Sequence, residues 1–241
     1  MARFFYPFEL TIGASIDLPD AVAHHCFVLR LQQGTPITLF NGTGGSYVAS
    51  LVSIEKKRAT AEVKTFDPTE VELPYAITLA QALPEASKMD WIIEKAVELG
   101  SAGIQPLVTQ RCVTRLSGER AEKRRSHWQA IIASASEQCG RNRLAQLAEI
   151  VNFNLWITQQ DLHKRLFLSP DAEMSIADWA RHQPAQAVTI MIGPEGGFTE
   201  QEQQLALSQG AIALSLGARV LRTETAGMAA IASLNAVWGG F

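Results

Sequence analysis

From Tyr75 onward, short apolar runs alternate with longer segments of helical period, and this alternation most limits the folds open to the chain. The runs at 76–82, 103–108, 166–169, 188–192 and 211–216 are rich in Val, Ile, Leu and Ala. Strands that alternate with helices in this way predict a mostly parallel sheet covered on both faces. Ser87 opens one helix, with Asp90 three residues on and Gly100 at its end, and Trp91, Ile92, Lys95 and Leu99 sort there into an apolar and a polar face. Thr199 and Glu202 have the spacing of a capping box, and Gly210 lies past the end of that helix. A last helix follows Thr223 and carries Ala, Met, Ile and Leu on most sides, which predicts burial, including burial in a subunit interface.

The first 70 or so residues read differently. Strands at 36–40, 47–54 and 59–66, with Asn41-Gly42 and Gly44-Gly45 between the first two, predict a small β-rich barrel. One helix begins at Pro19 and Asp20, places Val22, Cys26 and Leu29 at helical spacing, and ends before Gly34. The stretch 67–74 combines two prolines with acids and little periodicity, and it sets a domain boundary between 1–72 and 73–241.

The net charge of -3 excludes a protein coated with positive charge, so contact with nucleic acid requires a local patch. Residues 110–143 supply one, with eight Lys or Arg against three acids. Cys26, Cys112 and Cys139 are an odd, widely spaced set that forms neither a metal pair nor a disulfide framework, so no metal and a reducing compartment are expected. The N-terminus has no signal-peptide pattern and no run is apolar enough for a membrane span, so a cytoplasmic protein with no membrane association is expected.

Three motifs carry chemistry. Ile190 to Thr199, IMIGPEGGFT, is an apolar strand running into a glycine-rich turn and a capped helix. Such turns at the carboxyl ends of parallel strands bind ligands, yet this one is neither GxGxxG nor a phosphate-cradling P-loop. Residues 214–226, LSLGARVLRTETA, repeat the pattern with two arginines and Glu224 around an apolar pair, although Glu224 equally suits the positive end of a helix dipole. Residues 137–143, EQCGRNR, end a long helical stretch and bring Arg141, Asn142 and Arg143 together at a glycine break, with Cys139 read as a structural thiol.

In order and spacing, these motifs resemble the ribosomal small-subunit methyltransferase E family, a branch of the SPOUT superfamily. Arg111-Cys112, EKAVELG at 94–100 and VLRLQQG at 28–34 extend the resemblance over nearly the whole chain. It implies a PUA-like RNA-binding β-barrel followed by an α/β catalytic domain with a deep trefoil knot, acting as a homodimer with RNA crossing between subunits. The implied cofactor is S-adenosyl-L-methionine, bent within the knot and walled by Leu168, Ser169 and Pro170, by Gly193, Pro194, Glu195 and Gly196, and by Leu216, Gly217, Arg219, Val220, Leu221 and Arg222. The implied reaction is methylation of N3 of a uridine in 16S ribosomal RNA, on free RNA or on the small ribosomal subunit.

Methyl transfer from a sulfonium is an in-line displacement that demands alignment and exclusion of water. Uracil N3 also carries a proton and lies on the Watson–Crick edge, so the base must be unpaired and deprotonated. Arg222 and Arg141 are the candidates to stabilise its developing charge, with Asn142 offering amide hydrogen bonds and Glu224 or Glu195 a carboxylate for the proton. Phosphate contacts are expected from Arg3, Arg30, Arg111, Arg115, Arg124, Arg125, Arg141 and Arg143. Two readings stand beside this one: a ribose 2'-hydroxyl methyltransferase using the same cofactor loops, and a noncatalytic RNA-binding protein that would not bind the cofactor.

Overall fold

The computed structural model describes residues 1–85, 87–114 and 116–241. They form two compact units, residues 1–72 with 133–144, and residues 73–132 with 145–241.

The first unit contains β1 (Ala2–Phe5), β2 (Ser15–Asp17), α1 (Asp20–Val28), β3 (Pro36–Phe40), β4 (Ser46–Ile54) and β5 (Ala59–Asp67). Its five-stranded sheet runs β1-β3-β4-β5-β2, with β1 parallel to β3 and every other pair antiparallel. Alternate residues of the strands, among them Ile37 and Leu39, Ala49 and Leu51, and Ala61 and Val63, turn inward and pack with Val22, Ala23 and Cys26 of α1. The strands expected at 36–40, 47–54 and 59–66 thus form, and their inward residues build this core. Leu29 departs from expectation: it follows the last residue of α1 and is 48% exposed, because the chain leaves the helix there and turns through Arg30 at φ 55°.

The second unit contains β6 (Ile77–Ala82), α2 (Lys88–Glu98), β7 (Gly103–Val108), the larger part of α3 (Gly118–Cys139), β8 (Gln146–Leu147), β9 (Val151–Asn152), α4 (Phe153–Ile157), β10 (Lys164–Leu168), α5 (Ile176–Arg181), β11 (Val188–Ile192), α6 (Glu200–Ser208), β12 (Ile212–Leu214) and α7 (Thr223–Trp238). All its strand pairs are parallel, in the order β12-β10-β11-β6-β7-β8, with β9 also on β7. Every residue of β11 is buried, as a strand covered on both faces must be. α7 packs on α2, α5, β6 and β11. A separate core cluster joins Phe153 and Trp156 of α4, Phe167, Met191, Phe198 and Ala206 of α6.

The capping box of α6 forms as its spacing predicts, with Thr199 Oγ1 accepting from Glu202 N and the Glu202 side chain accepting from Thr199 N. Ser87 stands at the start of α2 but makes no capping hydrogen bond with its side chain. Asp90 is drawn instead to α3, where Trp128 Nε1 donates to it at 3.0 Å and His127 Nε2 lies 3.0 Å away. Among the described residues no helix is long and apolar enough to cross a membrane, and no group of three His, Cys, Asp or Glu side chains could hold a metal ion.

Candidate active site

A cavity of about 510 Å³ opens in the second unit beyond the carboxyl ends of β10, β11 and β12. This is where parallel sheets place their ligand loops, because helix-bound connections diverge there and leave a crevice. Its walls come from Leu168, Ser169, Pro170 and Asp171, from Gly193, Pro194 and Glu195, and from Leu216, Gly217, Arg219, Val220, Leu221 and Arg222, with Phe167, Ile192 and Leu214 behind them. The loops are tied together through the backbone: Ser169 N donates to Leu214 O at 3.0 Å, Ser215 N to Met174 O at 2.8 Å and Ile176 N to Ser215 O at 2.9 Å. The Thr223 hydroxyl donates to Gly193 O at 2.5 Å and accepts from the buried Gln81 amide at 3.0 Å, which fixes the start of α7 against the glycine loop. Gly217 takes φ 90°, a conformation costly for any residue with a Cβ.

Gly196 was expected in this wall and does not line the cavity. The Pro194 to Gly197 turn, closed by Gly197 N donating to Pro194 O at 2.8 Å, leaves Gly196 exposed on the loop, where its carbonyl accepts from Arg111 Nη1 at 2.7 Å. Arg111, expected to hold phosphate, therefore braces the loop and itself lines the cavity.

The charges around the cavity are unequal in their commitments. Lys88, a residue that no sequence motif singled out, lies 2.6 Å from Glu195 Oε1, and the amide of Glu85 donates to the same oxygen at 3.1 Å. The hydrogen bond to Glu195 holds the Lys88 ammonium above its usual range; desolvation opposes this, while the charges of Glu195, Glu224 and Glu85 add to it. Burial alone would push Glu195 up, but the bond from Lys88, the backbone amides of Glu195 and Glu85, and the Lys88 charge together leave it below the ordinary carboxylate range. Glu224, in the first turn of α7, also lines the cavity; its Oε2 is shielded from solvent and has no hydrogen-bond partner among the described residues. Arg219 and Arg222 are exposed at the rim and take part in no salt bridge among the described residues.

The 137–143 motif lies in the first unit, where Arg141 and Asn142 are buried and Gln138 and Arg143 are exposed. Arg141 is 4% exposed and presents Nε and Nη2 to the Glu72 carboxylate, at 3.0 and 2.6 Å. Asn142 Nδ2 donates to Thr69 O at 2.7 Å, and Arg3 donates both to Arg141 O at 2.9 Å and to Asn142 Oδ1 while stacking over Phe40. These side chains close the first unit on itself, a role that sequence reading had not given them. Arg143 is exposed, 3.5 Å from Glu70, and Arg30 is exposed as well. In the second unit, Arg124 lies 3.6 Å from Asp90 and Arg125 2.6 Å from Glu149. Arg115 lies outside the described residues.

Comparison with known proteins gives these features a family. Residues 71–235 match the model of an RNA methyltransferase domain, and residues 18–64 that of an RNA methyltransferase PUA domain. Ribosomal RNA small subunit methyltransferase E of Bacillus subtilis (strain 168) is 30% identical, with 98% of this chain and 96% of that protein covered. The chain belongs to the ribosomal RNA small subunit methyltransferase E family. A crystal structure of the Neisseria gonorrhoeae member bound to S-adenosyl methionine shares 42% identity, covers 99% of this chain and 98% of that one, and superposes with a TM-score of 0.93. A Legionella pneumophila methyltransferase in complex with the same cofactor shares 36% identity at a TM-score of 0.92, covering 98% of this chain and 97% of that one. The family makes this chain an RNA methyltransferase with a PUA-like N-terminal domain and an α/β catalytic domain.

Proposed function

We propose that this chain binds S-adenosylmethionine in the cavity at the ends of β10, β11 and β12 and methylates N3 of a uridine in 16S ribosomal RNA, as free RNA or within the small subunit. The observation that carries the reading is the cavity itself: about 510 Å³, apolar at Phe167, Leu168, Ile192, Leu214 and Leu216, and bordered by backbone of two glycine loops. Pockets of this size and lining suit a drug-sized ligand with one flat aromatic part, and loop amides and carbonyls can read an adenine edge without a charged partner. The bound cofactor supplies the methyl group. The chain's own residues supply alignment, dryness and charge.

The exposed rim arginine Arg222 is placed to stabilise negative charge developing on the uracil ring, and Arg219 extends the same cationic rim. Arg141 and Asn142 are engaged by Glu72, Thr69 and Arg3, which favours a positioning role for them within the RNA-binding unit over one at the reacting base. Arg30, exposed on that unit, is the better phosphate contact, whereas Arg3, Arg111, Arg124, Arg125 and Arg143 would first have to leave protein partners. The reading includes a cytoplasmic homodimer and a knot formed by tucking 215–222 through the chain near 168–175; the bonds of Ser169 and Ser215 across these two segments support the knot.

Isothermal calorimetry tests the cofactor site. A Cβ on Gly193 would come within 3.1 Å of Gly197 and Phe198, and a side chain on Gly217 would strain a left-handed backbone, so Gly193→Val and Gly217→Val should each weaken S-adenosylmethionine binding by at least tenfold. Undiminished affinity in both variants would place the cofactor elsewhere. Mass mapping of ribosomal RNA methylated by the purified protein should find the new group on the uracil ring; a methyl on ribose would replace this reading with the 2'-hydroxyl one.

A further inference from the structure

Three acidic side chains line the cavity: Asp171, Glu195 and Glu224. Glu195 is occupied by Lys88 and by the amide of Glu85. Asp171 is exposed on the 169–175 loop, where water competes for its lone pairs. Glu224 differs from both. It sits in the first turn of α7, held in place by the Thr223 contact to Gly193 O, and its Oε2 is out of solvent with no donor among the described residues. A desolvated acceptor without a donor is uncommon in native proteins, and in the wall of a ligand cavity it marks a candidate for chemistry or ligand binding. It also lies close enough to the Lys88 ammonium to act on it electrostatically.

We propose that Glu224 is the catalytic residue that takes the N3 proton of the target uracil, and that Lys88 keeps it available by neutralising Glu195. The proposal rests on the reading of the site as a uridine N3 methyltransferase. The N3–H bond breaks with its proton passing to the Glu224 carboxylate. The electron pair left on N3 forms the new bond to the methyl carbon, whose bond to sulfur breaks with its pair going to sulfur, leaving a neutral thioether. The carboxylic acid then returns its proton to water, and the carboxylate is restored. Lys88 is a positioning residue in this scheme: without it, a second carboxylate would be uncompensated in the cavity, repelling Glu224 and any anionic uracil.

A substrate with a more acidic N3 needs a base less. RNA carrying 5-fluorouridine at the target position meets this condition, because fluorine withdraws electron density from the ring. Glu224→Gln, which preserves shape, should slow single-turnover methylation of the uridine substrate by roughly a hundredfold or more, as loss of a general base does, and should slow the fluorinated substrate at least tenfold less. Calorimetry with S-adenosylhomocysteine should meanwhile find its affinity within about threefold of the parent protein, since the cofactor is not what the carboxylate serves. Glu195→Gln is the contrast: whatever it does to the rate, its loss should be the same on both substrates. An equal loss on uridine and 5-fluorouridine for Glu224→Gln would overturn the proposal, and so would collapse of cofactor affinity in that variant, which would make Glu224 a cofactor ligand. Failure of the N3 reading itself would be seen separately, as a methyl on another atom in the product of the parent protein.

Discussion

Glu137 carries a pH signature that follows from its burial. Burial pushes its carboxyl above the ordinary glutamate range, and the amide of Phe5 and the charges of His25 and Arg3 offset only part of that. An acid whose folded pKa exceeds its unfolded one binds more protons when folded, so its contribution to stability falls as pH rises from about 4.3, the unperturbed value, through the raised one. Glu137→Gln keeps an acceptor for Phe5 N and removes the ionisation. Urea titrations across that interval should therefore show the variant gaining on the parent protein as pH rises, whereas parallel curves would mean that the site does not titrate differently on folding. Arg222 gives the second residue-scale test. Exposed at the cavity rim, it should act on the transition state, so Arg222→Ala should lower the single-turnover rate on saturating RNA more than it lowers affinity, while Arg30→Ala should do the reverse. An unchanged rate for Arg222→Ala would return the search for charge stabilisation to Arg219.

Among the elements, α6 has the most informative start. Thr199 and Glu202 cap it reciprocally, and the other Glu202 oxygen accepts from Gln110 N at 2.8 Å, so one side chain both caps a helix and pins the loop after β7. Loss of a Thr cap costs about 1 kcal/mol, and Thr199→Ala should lower the free energy of unfolding by that amount. Glu202→Ala should cost about 2 kcal/mol or more, because two backbone donors lose a charged acceptor together. Equal losses would mean that the Gln110 contact contributes nothing. The capping box was legible from sequence because it is written within four residues. The opening of α2 at Ser87 was legible too, but the partners of Asp90 were not: its carboxylate is taken by Trp128 and His127 on α3, and local spacing carries no sign of that competition.

At the scale of the whole molecule, α7 bears on assembly. Its inner side, with Gly227, Ala230, Ile231 and Leu234, is buried within the chain, while Met228, Ala229 and Ala232 remain partly exposed. A second copy of the chain over these apolar residues would account for the homodimer proposed above, and sedimentation at low micromolar concentration should find a dimer without stable monomer. A fully active monomer would refute it. By itself, the sequence determined whatever rests on local pattern: the antiparallel strands of the first unit from their runs and the glycine turns between them, β7 and β11 from apolar-rich runs set between helices, and the two glycine loops from the strands that precede them. Only the tertiary structure decided which charges meet. Glu195 finds Lys88 across 107 positions and Arg141 finds Glu72 across 69, while Gly196, outside the cavity wall, gives its carbonyl to Arg111. Periodicity records which face of an element is apolar, because burial acts on each residue separately; an ion pair depends on where two distant elements come to rest, and no stretch of chain encodes that alone.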